Sequence, residues 1–193
     1  MEQINKIQSS GVPLPVEHVD TDQIIPARFL KSTSKDGFGK NLFRDWRYNG
    51  SNTNPDFVLN DSKYSGSILV AGHNFGCGSS REHAAWAIHD YGFRAVVSSE
   101  FADIFKGNAM NNGLLPIEVS PGFLQELTEA IITNPSTLIS ISLVDQTISF
   151  DDKDYQFDID EFKKKCLLEG KVEFDYLIDL RDTIKQYEQN RTF

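Results

Sequence analysis

A chain of 193 residues, 39% hydrophobic and 24% charged, has the balance of a globular protein and can bury most of its unfolded surface without a disulfide or metal staple. Nineteen Lys and Arg stand against 28 Asp and Glu, a net charge of −9, which argues against nucleic acid or an anionic membrane as the main partner. Cys77 and Cys166 form no disulfide framework and are too few for an iron–sulfur cluster or an all-cysteine zinc site. They point to a reducing compartment. The opening MEQINKIQSS has no signal-peptide core, and no apolar run approaches the ~20 residues that cross a bilayer. The expectation is a cytoplasmic protein.

The first third reads as loop-rich. KSTSKDGFGK (31–40) and GSNTNPD (50–56) are dense in turn residues, and the aromatic NLFRDWRYN between them needs a surface to pack on. From Ser67 strands and helices alternate. SILVAG reads as a buried strand, EHAAWAIHDYG as a helix stopped by Gly92, and RAVVSS as a second strand. Glu100 to Met110 reads as a helix with Phe101 and Phe105 on one face, followed by the strand LLPIEV. Ser120 and Pro121 start a helix carrying Phe123, Leu127, Ala130 and Ile131 at helical spacing. LISISLV and TISF form a hairpin, and DIDEFKKKCLLEG and FDYLIDLRDTIKQY form two closing helices. The second places Leu177, Leu180, Ile184 and Tyr187 on one stripe. The class is α/β, with parallel crossovers in the middle and an antiparallel hairpin later.

The chemistry concentrates in GHNFGCGSSREH (72–83), a glycine-rich junction between a strand and a helix. Such a junction offers free backbone N–H groups and a positive helix end, an anion cradle centred on Gly76, Cys77 and Gly78. It matches neither GxGxxG nor a P-loop, so the spacing names no reaction. Ser79 to Glu82 reads as a capping box, Ser-x-x-Glu. A capping hydroxyl surrounded by N–H groups could also serve as an unusual base. Arg81 is an unfavourable cation at a helix start, so an anion should compensate it. His73 and His83 read as structural, and Cys77 as a small filler lacking a base. A second candidate, DTDQIIP (20–26), puts two carboxylates around a Thr, and it matters only if the fold brings Asp22 to the glycine loop.

Together these segments carry a resemblance. GSSREHA (78–84) resembles the active-site signature of the aconitase superfamily. DTDQIIPARFLK (20–31), followed by GFGKNLFRDWRY, is similar to the small subunits of bacterial isopropylmalate dehydratases. The likeness runs in order over nearly the whole chain. It implies an aconitase-type swivel domain, a small barrel-like mixed sheet flanked by helices, over 1–193. Its substrate segment would occupy about 20–60, its α/β core about 64–150 and its C-terminal helices about 158–190. It also implies a heterodimer with a large subunit that holds a [4Fe–4S] cluster, with no metal bound by this chain. The implied reaction interconverts 2- and 3-isopropylmalate through isopropylmaleate in leucine biosynthesis. By position, Ser79 matches the base and Asp22 an acidic residue of the catalytic site, while Ser80 and Arg81 match contacts to the substrate carboxylates. Aconitase's further substrate arginine has no secure counterpart in RFLKSTSK. Phe29 and Leu30 suit an apolar substituent there. A methylmalate (citraconate) or homoaconitate small subunit is the alternative, and a non-catalytic anion-binding module is a reading from another class.

Overall fold

The computed structural model describes residues 1–191. It begins with a long strand, β1 (Lys6–Leu14), followed by a stretch of short turns. In that stretch α1 (Thr21–Ile24), α2 (Arg44–Arg47) and the two-residue strands β2 (Tyr48–Asn49) and β3 (Asn52–Thr53) alternate with single 3-10 turns. Then come β4 (Ile68–Ala71), α3 (Glu82–Tyr91), β5 (Ala95–Ser98), α4 (Asp103–Asn111), β6 (Leu115–Glu118) and α5 (Pro121–Thr133). A meander of β7 (Leu138–Ser142), β8 (Thr147–Phe150) and β9 (Lys153–Gln156) precedes α6 (Glu161–Glu169), α7 (Glu173–Asp179) and α8 (Arg181–Gln189).

One seven-stranded sheet runs β6-β5-β4-β1-β7-β8-β9. Its first four strands are parallel and the rest antiparallel. The strand β1 joins the two halves. Its first half, Lys6–Ser10, pairs antiparallel with β7, and its second half, Gly11–Leu14, pairs parallel with β4. The change of partner is crowded. A Cβ on Gly66 would fall on the carbonyl oxygen of Ser10, and one on Gly11 would stand 2.6 Å from Ile131 Cδ1.

Short apolar strands are explained by burial on both faces. Because side chains alternate along a strand, Ile68, Val70, Ala95 and Val97 face one core, with α5 and the meander. Leu69, Ala71 and Val96 face the other, with Ala84, Ala87 and Ile88 of α3 and Phe105 and Ala109 of α4. The aromatic run of the first third serves that second core. Phe43 is fully buried, stacks on Trp46 at 5.3 Å and meets Phe57 at 5.8 Å.

Several elements depart from the sequence reading. The helix after β5 starts at Asp103, because Glu100 to Ala102 pair with Phe75 through backbone hydrogen bonds. The second closing helix is divided at Leu180, although Leu180 N–H still donates to Tyr176 O and Ile184 N–H to Leu180 O. The strand β9 extends the expected hairpin to three strands, and β1 was not anticipated. None of the helices among the described residues is long and apolar enough to cross a membrane.

Gly66→Ala should lower stability by roughly 2–4 kcal/mol, since the new methyl meets backbone that cannot move aside. Gly107→Ala, in α4 with open space around it, should instead add about 0.5–1 kcal/mol. Urea titrations of both variants check the pair.

Candidate active site

The fold lays the two sequence candidates side by side. The carbonyl of Val19 accepts the amides of Gly76 (2.8 Å) and Cys77 (3.2 Å), and Thr21 N–H donates to Cys77 O at 2.9 Å. The Thr21 hydroxyl, buried, donates to Ser79 O at 2.8 Å. Asp20 caps α1 by accepting from Asp22 N–H at 2.6 Å, and its own N–H donates to Gln23 Oε1 at 2.8 Å. Gly78 stands at φ +84°, where a Cβ would strike the Asp20 carboxylate. Glycine therefore serves two ends there: it takes a left-handed turn and admits a carboxylate against the backbone.

Asp22 is thereby delivered to Arg81. The Arg81 Nη2 donates to Asp22 Oδ2 at 2.7 Å, and Nη1 lies against Oδ1. The guanidinium side chain is only 12% exposed, while that of Asp22 is 54% exposed. Nη1 is buried, and its contact with Oδ1 is an ion pair. The Arg81 hydrogen bond, helped by its charge and by Ala27 N–H, holds the Asp22 carboxyl below the usual carboxylate range despite opposing desolvation. Asp22 is thus the anion that the sequence demanded beside Arg81. As an ionised partner of arginine it accepts hydrogen bonds and has no proton to give.

The capping box expected at Ser79 does not form. The residue at the α3 N-cap is Arg81, and no side chain caps the helix. Ser79 lies two residues ahead of that position, where its carbonyl accepts the Thr21 hydroxyl. Glu82 instead accepts from Asn112 Nδ2 (3.0 Å) and Trp86 Nε1 (3.2 Å). Ser79 and Ser80 are exposed, and neither hydroxyl has a protein hydrogen-bond partner among the described residues. An uncapped helix start, two free hydroxyls and a nearly buried guanidinium compose a surface for an anion.

Phe29 and Leu30 follow Asp22 through a turn anchored by Ala27 N–H on Asp22 Oδ1 at 3.1 Å. Both are half-buried and pack against the core beneath α3, so only part of each side chain faces outward. The segment after them is fastened along α3 by His83, read from the sequence as structural, and by Asp90 and Lys35, which the sequence did not single out. His83 Nε2 meets Ser32 O at 3.1 Å, and Asp90 accepts from the amides of Gly39 (2.6 Å) and Gly37 (3.3 Å). Lys35 Nζ donates to Asn112 Oδ1 at 2.7 Å. His83 also packs on Trp86 with ring centres 4.3 Å apart.

Cys77 donates from Sγ to His18 O at 3.3 Å, and burial together with the Asp20 charge raises its thiol pKa. That thiol is not activated. Cys166 is buried in α6, away from the glycine loop. No group of three or more His, Cys, Asp or Glu among the described residues could hold a metal ion. On the flank, His73 contacts Glu100 at 3.2 Å and Ser99 at 3.3 Å.

Comparison with known proteins agrees with this geometry. The aconitase C-terminal domain family matches residues 1–122. The 3-isopropylmalate dehydratase small subunit of Cytophaga hutchinsonii is 56% identical, over 100% of this chain and 98% of its own. That of Christiangramia forsetii is 58% identical, over 99% and 95%. The crystal structure of 3-isopropylmalate dehydratase from Methanocaldococcus jannaschii superposes with a TM-score of 0.67 at 28% identity, covering 95% of this chain and 99% of that one. With the glycine loop, the paired Asp22 and Arg81 and the mixed sheet all in place, the chain belongs to the 3-isopropylmalate dehydratase small-subunit family of the aconitase superfamily.

Proposed function

We propose that this chain is the small subunit of a hydro-lyase that interconverts 2-isopropylmalate and 3-isopropylmalate through isopropylmaleate, and that it works only with a large subunit. The observation that carries the reading is the convergence of Asp22, Arg81 and the Ser79–Ser80 loop at one uncapped helix start. Arg81 is the group to take a substrate carboxylate. It is held in one orientation by Asp22, so little conformational freedom is lost on binding. Ser80 and the Gly78 amide complete the carboxylate seat; the amides of Gly76 and Cys77, which the sequence suggested for the same cradle, are instead taken up by Val19 O.

Ser79 is the base in this reading. The proton it removes lies next to a carboxylate, so negative charge grows on the oxygens facing Arg81 and the loop. A serine hydroxyl becomes basic only where its alkoxide is stabilised, and the uncapped helix start supplies dipole and donors for that. The residues of this chain do not fit an iron–sulfur cluster: one thiol is in the loop and the other is inside α6. The [4Fe–4S] cluster is accordingly assigned to the large subunit, and the fate of the leaving hydroxyl lies outside this chain. Phe29 and Leu30 form the apolar wall for the isopropyl group.

Reconstitution tests the assignment. The purified chain should be folded and inactive, and activity on isopropylmalate should appear on anaerobic addition of the cognate large subunit. Turnover by the chain alone, or a preference for methylmalate or homoaconitate over isopropylmalate, would overturn it.

In the reconstituted enzyme, Ser79→Ala should lower kcat by roughly 10²–10⁴ as the loss of a general base. Its thermal midpoint should stay where it was, because Ser79 caps nothing. Near-normal kcat would remove Ser79 from the chemistry.

Leu30→Arg should depress kcat/KM for isopropylmalate more than for methylmalate. The isopropyl group depends on burial at about 0.8 kcal/mol per methylene-sized unit. Unchanged ratios between the two substrates would show that this segment does not face the variable substituent.

A further inference from the structure

The apolar wall of the candidate site hangs between two anchors. From Ala27 to Ser32 the chain makes consecutive turns, with Leu30 N–H on Ala27 O at 3.1 Å and Ser32 N–H on Phe29 O at 3.3 Å. At the start of this stretch Ala27 N–H donates to Asp22 Oδ1 at 3.1 Å, and Asp22 in turn pairs with Arg81. At its end His83 Nε2 lies 3.1 Å from Ser32 O. A carbonyl has no proton to give, so Nε2 is the donor. Both anchors therefore lead to the start of α3, where Arg81 is the N-cap and His83 stands two positions further on.

Little else ties this stretch down. Among the described residues, the backbone of 31–36 makes one hydrogen bond to the body of the molecule, the one from His83. Its other bonds are local: Ser32 Oγ donates to Ser34 O at 3.0 Å, and Asp36 N–H donates to Ser34 Oγ at 3.3 Å. Serine turns of this kind fix their own shape and not their place on the protein. The imidazole, by contrast, has a fixed aim. It packs on Trp86 with ring centres 4.3 Å apart and on Phe38 at 5.6 Å, and Trp86 Nε1 is itself held by Glu82 at 3.2 Å. A leucine would fill this half-buried position as well. What the histidine adds is a donor directed at Ser32 O.

We propose that His83 is a positioning residue for substrate choice: through Ser32 O it sets how far the Phe29–Leu30 wall stands from the Arg81 guanidinium. The proposal rests on the function given above, in which Arg81 takes a carboxylate and Phe29 and Leu30 take the apolar substituent. A substrate that carries both groups on one small carbon skeleton has to meet seat and wall together, so their separation acts as a ruler. Both supports stand on the first turn of one helix. Such a turn deforms far less than a serine-rich loop, so the ruler keeps its length.

The consequence of losing the donor follows from what the wall does. Releasing Ser32 would free the wall without altering a contact of Ser79 or Arg81. A displaced wall buries less of the substituent, and the loss grows with the apolar area at stake, so isopropylmalate suffers more than methylmalate. That burial is the same before and during proton removal, so the effect belongs in KM and not in kcat. A residue needed only for folding would instead lower the melting temperature and weaken all substrates alike.

Three variants separate reach from packing: His83→Gln, whose amide extends to the place of Nε2; His83→Asn, polar but too short; and His83→Leu, apolar. In the enzyme reconstituted with its large subunit, the Asn and Leu variants should raise KM for isopropylmalate roughly 3–10-fold. KM for methylmalate should rise less and kcat should hold, while the Gln variant should restore the parent's ratio between the two substrates. The free chain gives a reading without turnover. Lys31 and Lys35 are exposed, and trypsin should cut there roughly 3–10-fold faster in the Asn and Leu variants. The Gln variant should be cut like the parent, and all Tm values should stay close together. If the Leu variant does not fold, the Gln and Asn pair decides. A Gln variant no better than Asn, an equal loss on both substrates, or unchanged tryptic rates would overturn the proposal and leave the hydro-lyase reading intact. An absence of turnover by the reconstituted parent would sink that reading, and the role of His83 with it.

Discussion

The site depends on a missing side chain. At Gly78 the backbone turns left-handed and lets the Asp20 carboxylate come against it. With that contact permitted, Val19 to Asp22 can lie alongside Gly76 to Ser79 and exchange hydrogen bonds with it. Any larger residue would push these strands of chain apart. Asp22 would then lose its place beside Arg81, and the Thr21 hydroxyl its acceptor at Ser79 O. Of all the glycines in the 72–83 segment, Gly78 is the one that decides where the carboxylate of Asp22 ends up.

Electrostatics explains why the pair is stable in an acidic protein. A cation at a helix start meets the positive end of the helix dipole, and Arg81 is nearly buried as well. The Asp22 carboxylate offsets both costs while remaining open to solvent on its own far side. This leaves a guanidinium whose orientation is fixed by two contacts to one carboxylate. A surface rich in Asp and Glu can thus present one local seat for an anion.

How much of this was legible in the sequence depended on how local the cause was. The strands β4 to β6 read clearly because buried parallel strands are short apolar runs between turn residues. The strand β1 did not, because KIQSSGVPL carries Ser-Ser-Gly at the point where it changes partners. Its strand character comes from two flanking strands, which no local window contains. The helix start at Glu82 was legible too, but the Ser-x-x-Glu pattern suggested a cap at Ser79 that does not form, since the N-cap position falls on Arg81. Both halves of the site were visible as motifs, yet their pairing was not, because 59 positions separate Arg81 from Asp22. The resemblance to the aconitase superfamily supplied what periodicity could not, namely that the two motifs belong together. The stripe on α7–α8 was plain as a pattern, but a pattern does not say what covers it.

The stitching of Thr21 to Ser79 also bears on how the protein acquires activity during folding. Bonds that span 58 positions form only after the chain between them has been gathered, at a cost in loop closure that local helices do not meet. Helix α3 and the meander β7–β9 are built from near neighbours and can take shape early. The anion seat cannot, because its two edges come from opposite ends of a long excursion through the aromatic turns. A partly folded chain would therefore hold much of its secondary structure and none of its site, which makes amide protection at Thr21 a sensitive marker of the finished subunit.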